Sequence, residues 1–254
     1  MKTEELTLKE LKHFSLMRLT HIYILSMQLD SFISQESQEL KDRKEKLDKD
    51  KPLQLPNLMD FAHEEGIINI QDYRKLKKEN PEKFKAISEQ LGLILSIIRI
   101  ETDNILFNDV FPTITWSSLF LISMAHLEYS LILICNHFTE IKKLNLKLSD
   151  LNGSSTYEKF ILFVSKVAKV DYSFDRSMFW QKVRNHQKIR NLLMHNNGLI
   201  DDSDRAKVVK KLIEDGQINL KWNNLMILLF TSEYLESVIT DSQNWMEEFF
   251  NKLK

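Results

Sequence analysis

The sequence predicts an all-α protein, and three observations favour this fold class. Glycine occurs 5 times and proline 4 times in 254 residues, which leaves few of the turn formers that hairpins between short strands need. Apolar residues recur at helical spacing in several long stretches. Hydrophobic residues make up 43% and charged residues 28%, an ordinary globular balance, so the chain can bury a substantial core.

Residues 1–110 are interpreted as an N-terminal helical extension or subdomain. Apolar residues recur from Leu8 to Ile33 with the period of a helix, and the charged stretch 35–51 is expected to be a solvated or disordered extension of it. Pro52 and Pro56 then break the chain.

The second half of this region, residues 57–110, is predicted to form a helical hairpin or a small subdomain. Asn57 can cap a short helix that Gly66 ends. Asn80 followed by Pro81 is a strong start signal for a long amphipathic helix, because proline is favoured at the first helical position.

Residues 111–254 are predicted to form a second helical domain. The cluster DLNGSSTY makes a loop, and Asn196-Asn197-Gly198 can adopt the left-handed backbone that ends a helix. The predicted elements are helices at 114–148, 156–170, 176–195 and 205–215, an isolated short strand within 216–222, and a last helix from about residue 224 to the end.

Several features favour a soluble, cytoplasmic protein without a membrane segment. The apolar stretch 119–135 is short for a membrane span and carries His126 and Glu128 near its centre, so we interpret it as a core helix. The N-terminus mixes acidic and basic residues and does not resemble a signal peptide. The single cysteine, Cys135, suits a reducing compartment and is expected to fill a buried helix face.

Motif searches exclude several function classes. Neither GxxxxGK[ST] nor GxGxxG occurs, which excludes these two nucleotide-binding loops. The histidines show no HExxH or paired-ligand spacing, and no GxSxG is present, so neither a metal site nor a serine hydrolase is expected. We expect no cofactor.

Positive charge is concentrated in one place. The net charge of the chain is −1, yet no Asp or Glu occurs between Arg176 and Ile200. Such a patch attracts phosphates. The residues expected to contact RNA here are Lys182, Arg184, His186 and Lys188.

The end of the predicted helix 176–195 carries a candidate catalytic set. Asn191 and His195 are four residues apart and share a helix face, as do His186 and Arg190. His195 lies at the C-terminal end, where the helix dipole favours a positive charge. A histidine for proton transfer, an arginine for the phosphate and an amide to orient either are the parts of a metal-independent ribonuclease.

The segment Arg190-Asn-Leu-Leu-Met-His195, followed by Asn-Asn-Gly-Leu-Ile, resembles the signature of the HEPN superfamily, an Arg and a His separated by four to six residues. The resemblance covers about residues 114–250 and implies a HEPN-like helical bundle that commonly dimerises. It also implies metal-independent RNA cleavage, often by toxins or effectors of prokaryotic antiviral defence or toxin–antitoxin systems. Arg190 would stabilise the scissile phosphate, His195 would be the general acid or base, and Asn191 would orient the site.

The resemblance also implies partners, and two other function classes stay open. RNA, a second copy of the chain, and an antitoxin or sensor protein are the expected partners. Some HEPN domains only bind nucleotides or partners without catalysis. A plain helical adaptor, with residues 1–110 as its interaction surface, is the third reading.

One acidic residue is singled out as a supporting group. Glu128 is surrounded in the sequence by apolar residues, and a buried carboxylate needs a partner. We hypothesise that Glu128 pairs with Arg190 or with the neighbouring basic helix. The alternative is an acid that points to solvent.

Overall fold

The structure is a computed structural model, and it describes residues 7–50, 65 and 70–253. About 79% of the chain is helical, and the two strands seen in the described residues are short, so the predicted all-α class is confirmed. The helices are α1 Leu8–Asp50, α2 Ile70–Glu79, α3 Pro81–Ile105, α4 Phe111–Ile141, α5 Thr156–Leu162, α6 Met178–Asn196, α7 Asp204–Glu214 and α8 Ser232–Lys252, and the strands are β1 Lys221–Trp222 and β2 Leu228–Leu229.

Two compact units divide the chain. One is formed by the described residues within Met1–Asp30 and Pro112–Lys254, and the other by those within Ser31–Phe111. This division differs from the predicted one, because residues 7–30 group with the C-terminal region. The first part of α1 contacts α4: a ring nitrogen of His126 lies 3.2 Å from the carbonyl oxygen of Ser15. Leu11 and Leu19 on the same part of α1 are buried.

The smaller unit contains the predicted helical hairpin. Asn80 caps α3 by accepting a hydrogen bond from the backbone N–H of Lys83, as its position before Pro81 predicts. The rings of Tyr73 and Phe84 lie 4.8 Å apart and join α2 to α3. The predicted short helix from Asn57 to Gly66 and the breaks at Pro52 and Pro56 lie outside the described residues.

Two predicted elements differ from the structure. A π-helical turn, Leu106–Val110, leads directly into α4, which begins at Phe111 and ends at Ile141 where the sequence predicts a helix over 114–148. The stretch predicted as an isolated strand contributes β1, which pairs with β2 in an antiparallel hairpin, and α8 therefore begins at Ser232 instead of near residue 224.

The apolar helix α4 was predicted to lie in the core. Met124, Leu127, Leu131 and Cys135 are fully buried, and burial raises the pKa of the cysteine thiol well above its usual range. The described helical run Pro81–Ile141 has the length and composition of a membrane span, and half of its most apolar window is buried, as is also typical of a core helix.

The core of the larger unit is an aromatic cluster centred on Phe160. Its ring centroid lies 5.7–5.9 Å from those of Phe174, Trp180, Trp245 and Phe249. Because Trp180 belongs to α6 and Trp245 to α8, these contacts fix the position of α6 in the fold.

We predict that Phe160→Ala lowers the free energy of unfolding of this unit by about 3–5 kcal/mol, because the truncation leaves a cavity in a fully buried cluster. Urea denaturation followed by tryptophan fluorescence measures the change. Ile141→Ala is the control: this side chain is 63% exposed, so its truncation is expected to change stability by less than about 0.5 kcal/mol. Equal effects of the two substitutions would contradict the assignment of Phe160 to the core.

Candidate functional site

Helix α6 is capped at both ends. The Ser177 hydroxyl accepts a hydrogen bond from the backbone N–H of Trp180 and donates one to Glu248 on α8. At the other end, Asn197 adopts a left-handed backbone with φ of 51°, and Gly198 follows with φ of 73°. The predicted helix 176–195 and its Asn-Asn-Gly stop are therefore confirmed within two residues.

One face of α6 is fixed by a buried polar network. The two ring nitrogens of His186 lie 3.0 Å from the Tyr234 hydroxyl and 3.1 Å from a carboxylate oxygen of Asp241. The Lys182 ammonium donates to the other carboxylate oxygen of Asp241 at 2.9 Å. Burial raises the pKa of Asp241, but the hydrogen bonds from His186 and Lys182 outweigh burial and hold this pKa below its usual value.

This network engages two of the residues predicted to contact RNA. His186 is only 4% exposed, and both its ring nitrogens are engaged by α8. Lys182 is paired with Asp241 on the same side of α6. The two residues hold the helix in place, and neither lines the cleft described next.

Other residues of α6, together with residues of neighbouring helices, line an open cleft of about 750 Å³. The predicted catalytic residues Arg190, Asn191 and His195 all border this cleft. So do Glu128 from α4 and two of the predicted RNA-binding residues, Arg184 and Lys188. The structure thus brings six of the eight predicted site residues together.

Glu128 and Arg190 form the ion pair that the sequence analysis hypothesised. A carboxylate oxygen of Glu128 lies 3.7 Å from a guanidinium nitrogen of Arg190, and both side chains are partly buried. Arg190 also donates to the side-chain oxygen of Asn191 at 3.1 Å. Burial raises the pKa of Glu128 above its ordinary value, and the charge of Arg190 offsets part of this rise.

His195 occupies the exposed last turn of α6 and lines the cleft. Its imidazole has no hydrogen-bond partner among the residues that the structure describes. A ligand in the cleft can therefore reach either ring nitrogen without first displacing a protein group.

Arg184 is positioned by two groups of α5. Its guanidinium carbon lies 5.8 Å from the ring centroid of Tyr157, and one of its nitrogens lies 3.7 Å from a carboxylate oxygen of Glu158. Hydrogen bonds from the hydroxyl and backbone N–H of Ser154 lower the pKa of Glu158, which keeps this carboxylate ionised beside Arg184.

Tyr157 lies beneath the charged residues of the cleft. The side chain is fully buried, and its hydroxyl has no hydrogen-bond partner within the described part of the chain. Burial raises the pKa of this phenol, and the negative charge of Glu128 adds to the rise. The phenol is therefore held neutral below the site.

The cleft has an excess of positive charge. Five cationic side chains and two carboxylates line it in the described chain, and each carboxylate is paired with an arginine. Burial lowers the pKa of Lys188, and repulsion from Arg184 adds to this effect. The remaining cations, Lys159, Lys188 and Arg205, have no carboxylate partner among the described residues.

Sequence reasoning missed Lys159 and Arg205. Lys159 comes from α5, and no feature of the linear sequence places that helix beside α6. For Arg205 the sequence did contain an indication, because the Asn-Asn-Gly stop ends α6 a few residues before α7. In the structure, the side chain of Asn196 donates a hydrogen bond at 3.1 Å to Ser203, the N-cap of α7. The first turn of α7 is thereby brought back towards the end of α6.

No protein-family model, curated protein or solved structure matches the chain. The fold and the site by themselves define an all-α protein with a cationic cleft on the helix that ends near His195. No group of three or more His, Cys, Asp or Glu side chains that could hold a metal ion is found within residues 7–50, 65 and 70–253.

We predict that the effect of Glu128→Gln on the free energy of unfolding depends on pH. A carboxyl group with a raised pKa favours the folded state while it is neutral, and this contribution is lost as the pH rises through the folded-state pKa. Glutamine stays neutral, so the stability of the variant relative to wild type should increase from pH 4 to pH 8. Urea unfolding of both proteins at several pH values measures this difference in the free energy of unfolding. A relative loss of stability over that range would show that the attraction of Arg190 exceeds the cost of burial.

Proposed function

We propose that this protein is a metal-independent endoribonuclease of the HEPN type. The observation that carries the proposal is the convergence of Arg190, Asn191 and His195 on one open, positively charged cleft. A phosphodiester entering this cleft meets a guanidinium, which can donate two parallel hydrogen bonds, and an accessible imidazole. These are the two groups that the reaction needs most.

The proposed reaction is attack of a ribose 2′-hydroxyl on the adjacent phosphate. His195 removes the hydroxyl proton or protonates the leaving 5′-oxygen, and Arg190 stabilises the negative charge that develops on the phosphate. Asn191 holds the guanidinium through the hydrogen bond at 3.1 Å. The products are a 2′,3′-cyclic phosphate and a free 5′-hydroxyl.

Glu128 has a positioning role in this proposal. It restrains Arg190 from the side of α4, at 3.7 Å, and does not touch the reacting atoms. An arginine that is already oriented loses less side-chain entropy when it binds a phosphate.

The biological setting proposed is that of a cytoplasmic toxin or effector of prokaryotic antiviral defence or of a toxin–antitoxin system. The protein is proposed to act as a homodimer with a HEPN-like bundle and to be restrained by an antitoxin or a sensor protein. This part of the proposal rests on the resemblance of the segment 190–195.

A non-catalytic cleft that binds nucleotide phosphates is the second candidate. The observation that favours it is the exposed imidazole of His195, which no described residue orients. A catalytic base is ordinarily oriented by a further group. A helical adaptor receives less support, because α6 is not occluded and its cleft-facing residues are accessible.

We predict that expression of the wild-type chain in a bacterial host arrests growth and fragments RNA, and that His195→Ala abolishes both effects. The loss follows from removal of the only imidazole that lines the cleft in the described structure. Growth curves and total RNA on denaturing gels measure it.

His21→Ala is the matched control, because His21 is an exposed histidine on α1 that does not line the cleft. Its expression should remain toxic. Arrest and fragmentation that persist in His195→Ala would overturn the assignment of His195, and a harmless wild-type chain that leaves RNA intact would favour the binding candidate.

A further inference from the structure

The cleft extends well beyond the position of a single phosphate. Arg184, Lys188, Asn191 and His195 follow one another at intervals of four, three and four residues, so they form one row along α6. The first and the last are eleven positions apart, so at a rise of 1.5 Å per residue the row is about 16.5 Å long. A row of this length has room for more than one phosphate along the helix.

Each end of this row has a cation from another helix. At the Arg184 end, the contact between Arg184 and Glu158 brings the first turns of α5 alongside, and the next residue, Lys159, lines the cleft. At the His195 end, the hydrogen bond from Asn196 to Ser203 brings α7 alongside, and Arg205 lines the cleft there.

These flanking cations are available for a ligand. Lys159 and Arg205 have no ion-pair partner among the described residues, and Arg184 is paired only at 3.7 Å with a carboxylate that is also held by Ser154. Arg184 has a restricted position over the Tyr157 ring, so binding a phosphate there costs little further ordering of the side chain.

We propose that the substrate is a single-stranded oligonucleotide that lies along α6 and is held at three phosphates. The central, scissile phosphate binds at Arg190 and His195. One neighbouring phosphate binds at a subsite formed by Arg184 and Lys159, and the phosphate on the other side binds at Arg205. The inference rests on the proposed function for the central position only; the flanking subsites are binding sites whether or not the strand is cut.

The size of the cleft favours a single strand. A volume of about 750 Å³ lies in the range of clefts that enclose small molecules, and it accommodates a few nucleotides. A double helix is a much wider body, and a cleft of this volume does not enclose it.

The test measures binding of fluorescein-labelled 2′-O-methyl oligonucleotides by anisotropy. Methylation of the 2′-hydroxyl blocks the attack, so binding is measured without cleavage. We expect a tetranucleotide, which has three phosphodiesters, to bind at least about tenfold more tightly than a dinucleotide, which has one. Arg184→Gln and Arg205→Gln should each lower the affinity for the tetranucleotide about tenfold and leave the affinity for the dinucleotide unchanged.

The salt dependence gives an independent readout. Each substitution should reduce the slope of log K against log salt concentration by about 0.7 for the tetranucleotide, as expected for the loss of one phosphate contact on a single strand. Arg176→Gln removes the same charge from an exposed arginine that does not line the cleft, and it should change neither affinity nor slope. Circular dichroism and thermal unfolding establish that the variants are folded.

Three results would overturn the inference: equal affinity for the dinucleotide and the tetranucleotide, unchanged tetranucleotide binding in both variants, or equally tight binding of a duplex of the same sequence. Loss of RNA cleavage in His195→Ala bears on the proposed function alone. If the protein binds the tetranucleotide as expected but cleaves no RNA, the proposed subsites stand and the proposed nuclease activity is rejected.

Discussion

The buried hydrogen-bond network behind α6 is the constraint on which the site depends. A buried imidazole and a buried carboxylate are stable only when their polar atoms are paired, and His186, Asp241, Tyr234 and Lys182 satisfy one another. This pairing, with the aromatic cluster around Phe160, fixes the rotation of α6 about its own axis. Because a helix has 3.6 residues per turn, fixing positions 182 and 186 towards α8 turns positions 184, 188, 191 and 195 to the opposite side. Arg190, four residues after His186, lies on the flank of the helix, where it pairs with Glu128 of α4. The cleft is the consequence.

The electrostatics of the site follow from the same arrangement. Helix α6 contains no carboxylate, so its counter-charges come from other helices: Asp241 of α8, Glu158 of α5 and Glu128 of α4. These carboxylates neutralise Lys182, Arg184 and Arg190 in turn. Cations from α5, α6 and α7 remain without a carboxylate partner in the described residues, and a protein with a net charge of −1 thereby acquires a cleft that favours anions.

The sequence was sufficient for local features and insufficient for most pairings between helices. The end of α6 follows from the Asn-Asn-Gly stop, which acts within a few residues. An acid in an apolar helix was enough to suggest the partnership of Glu128 with Arg190. The burial of His186 was not predictable, because a histidine on a basic helix fits solvent and core equally well until Asp241 is placed opposite. The hairpin of β1 and β2 was missed for the same reason, since its two short strands stabilise each other only as a pair.

The proposed function is cleavage of RNA by Arg190 and His195 without a metal. The most direct measurement is incubation of the purified protein with end-labelled single-stranded RNA in excess EDTA, followed by analysis of the 3′ ends of the products. The proposed function predicts cleavage in EDTA with 2′,3′-cyclic phosphate ends, because the 2′-hydroxyl is the proposed nucleophile. Products with 3′-hydroxyl ends, or cleavage that appears only when a divalent metal is added, would contradict it.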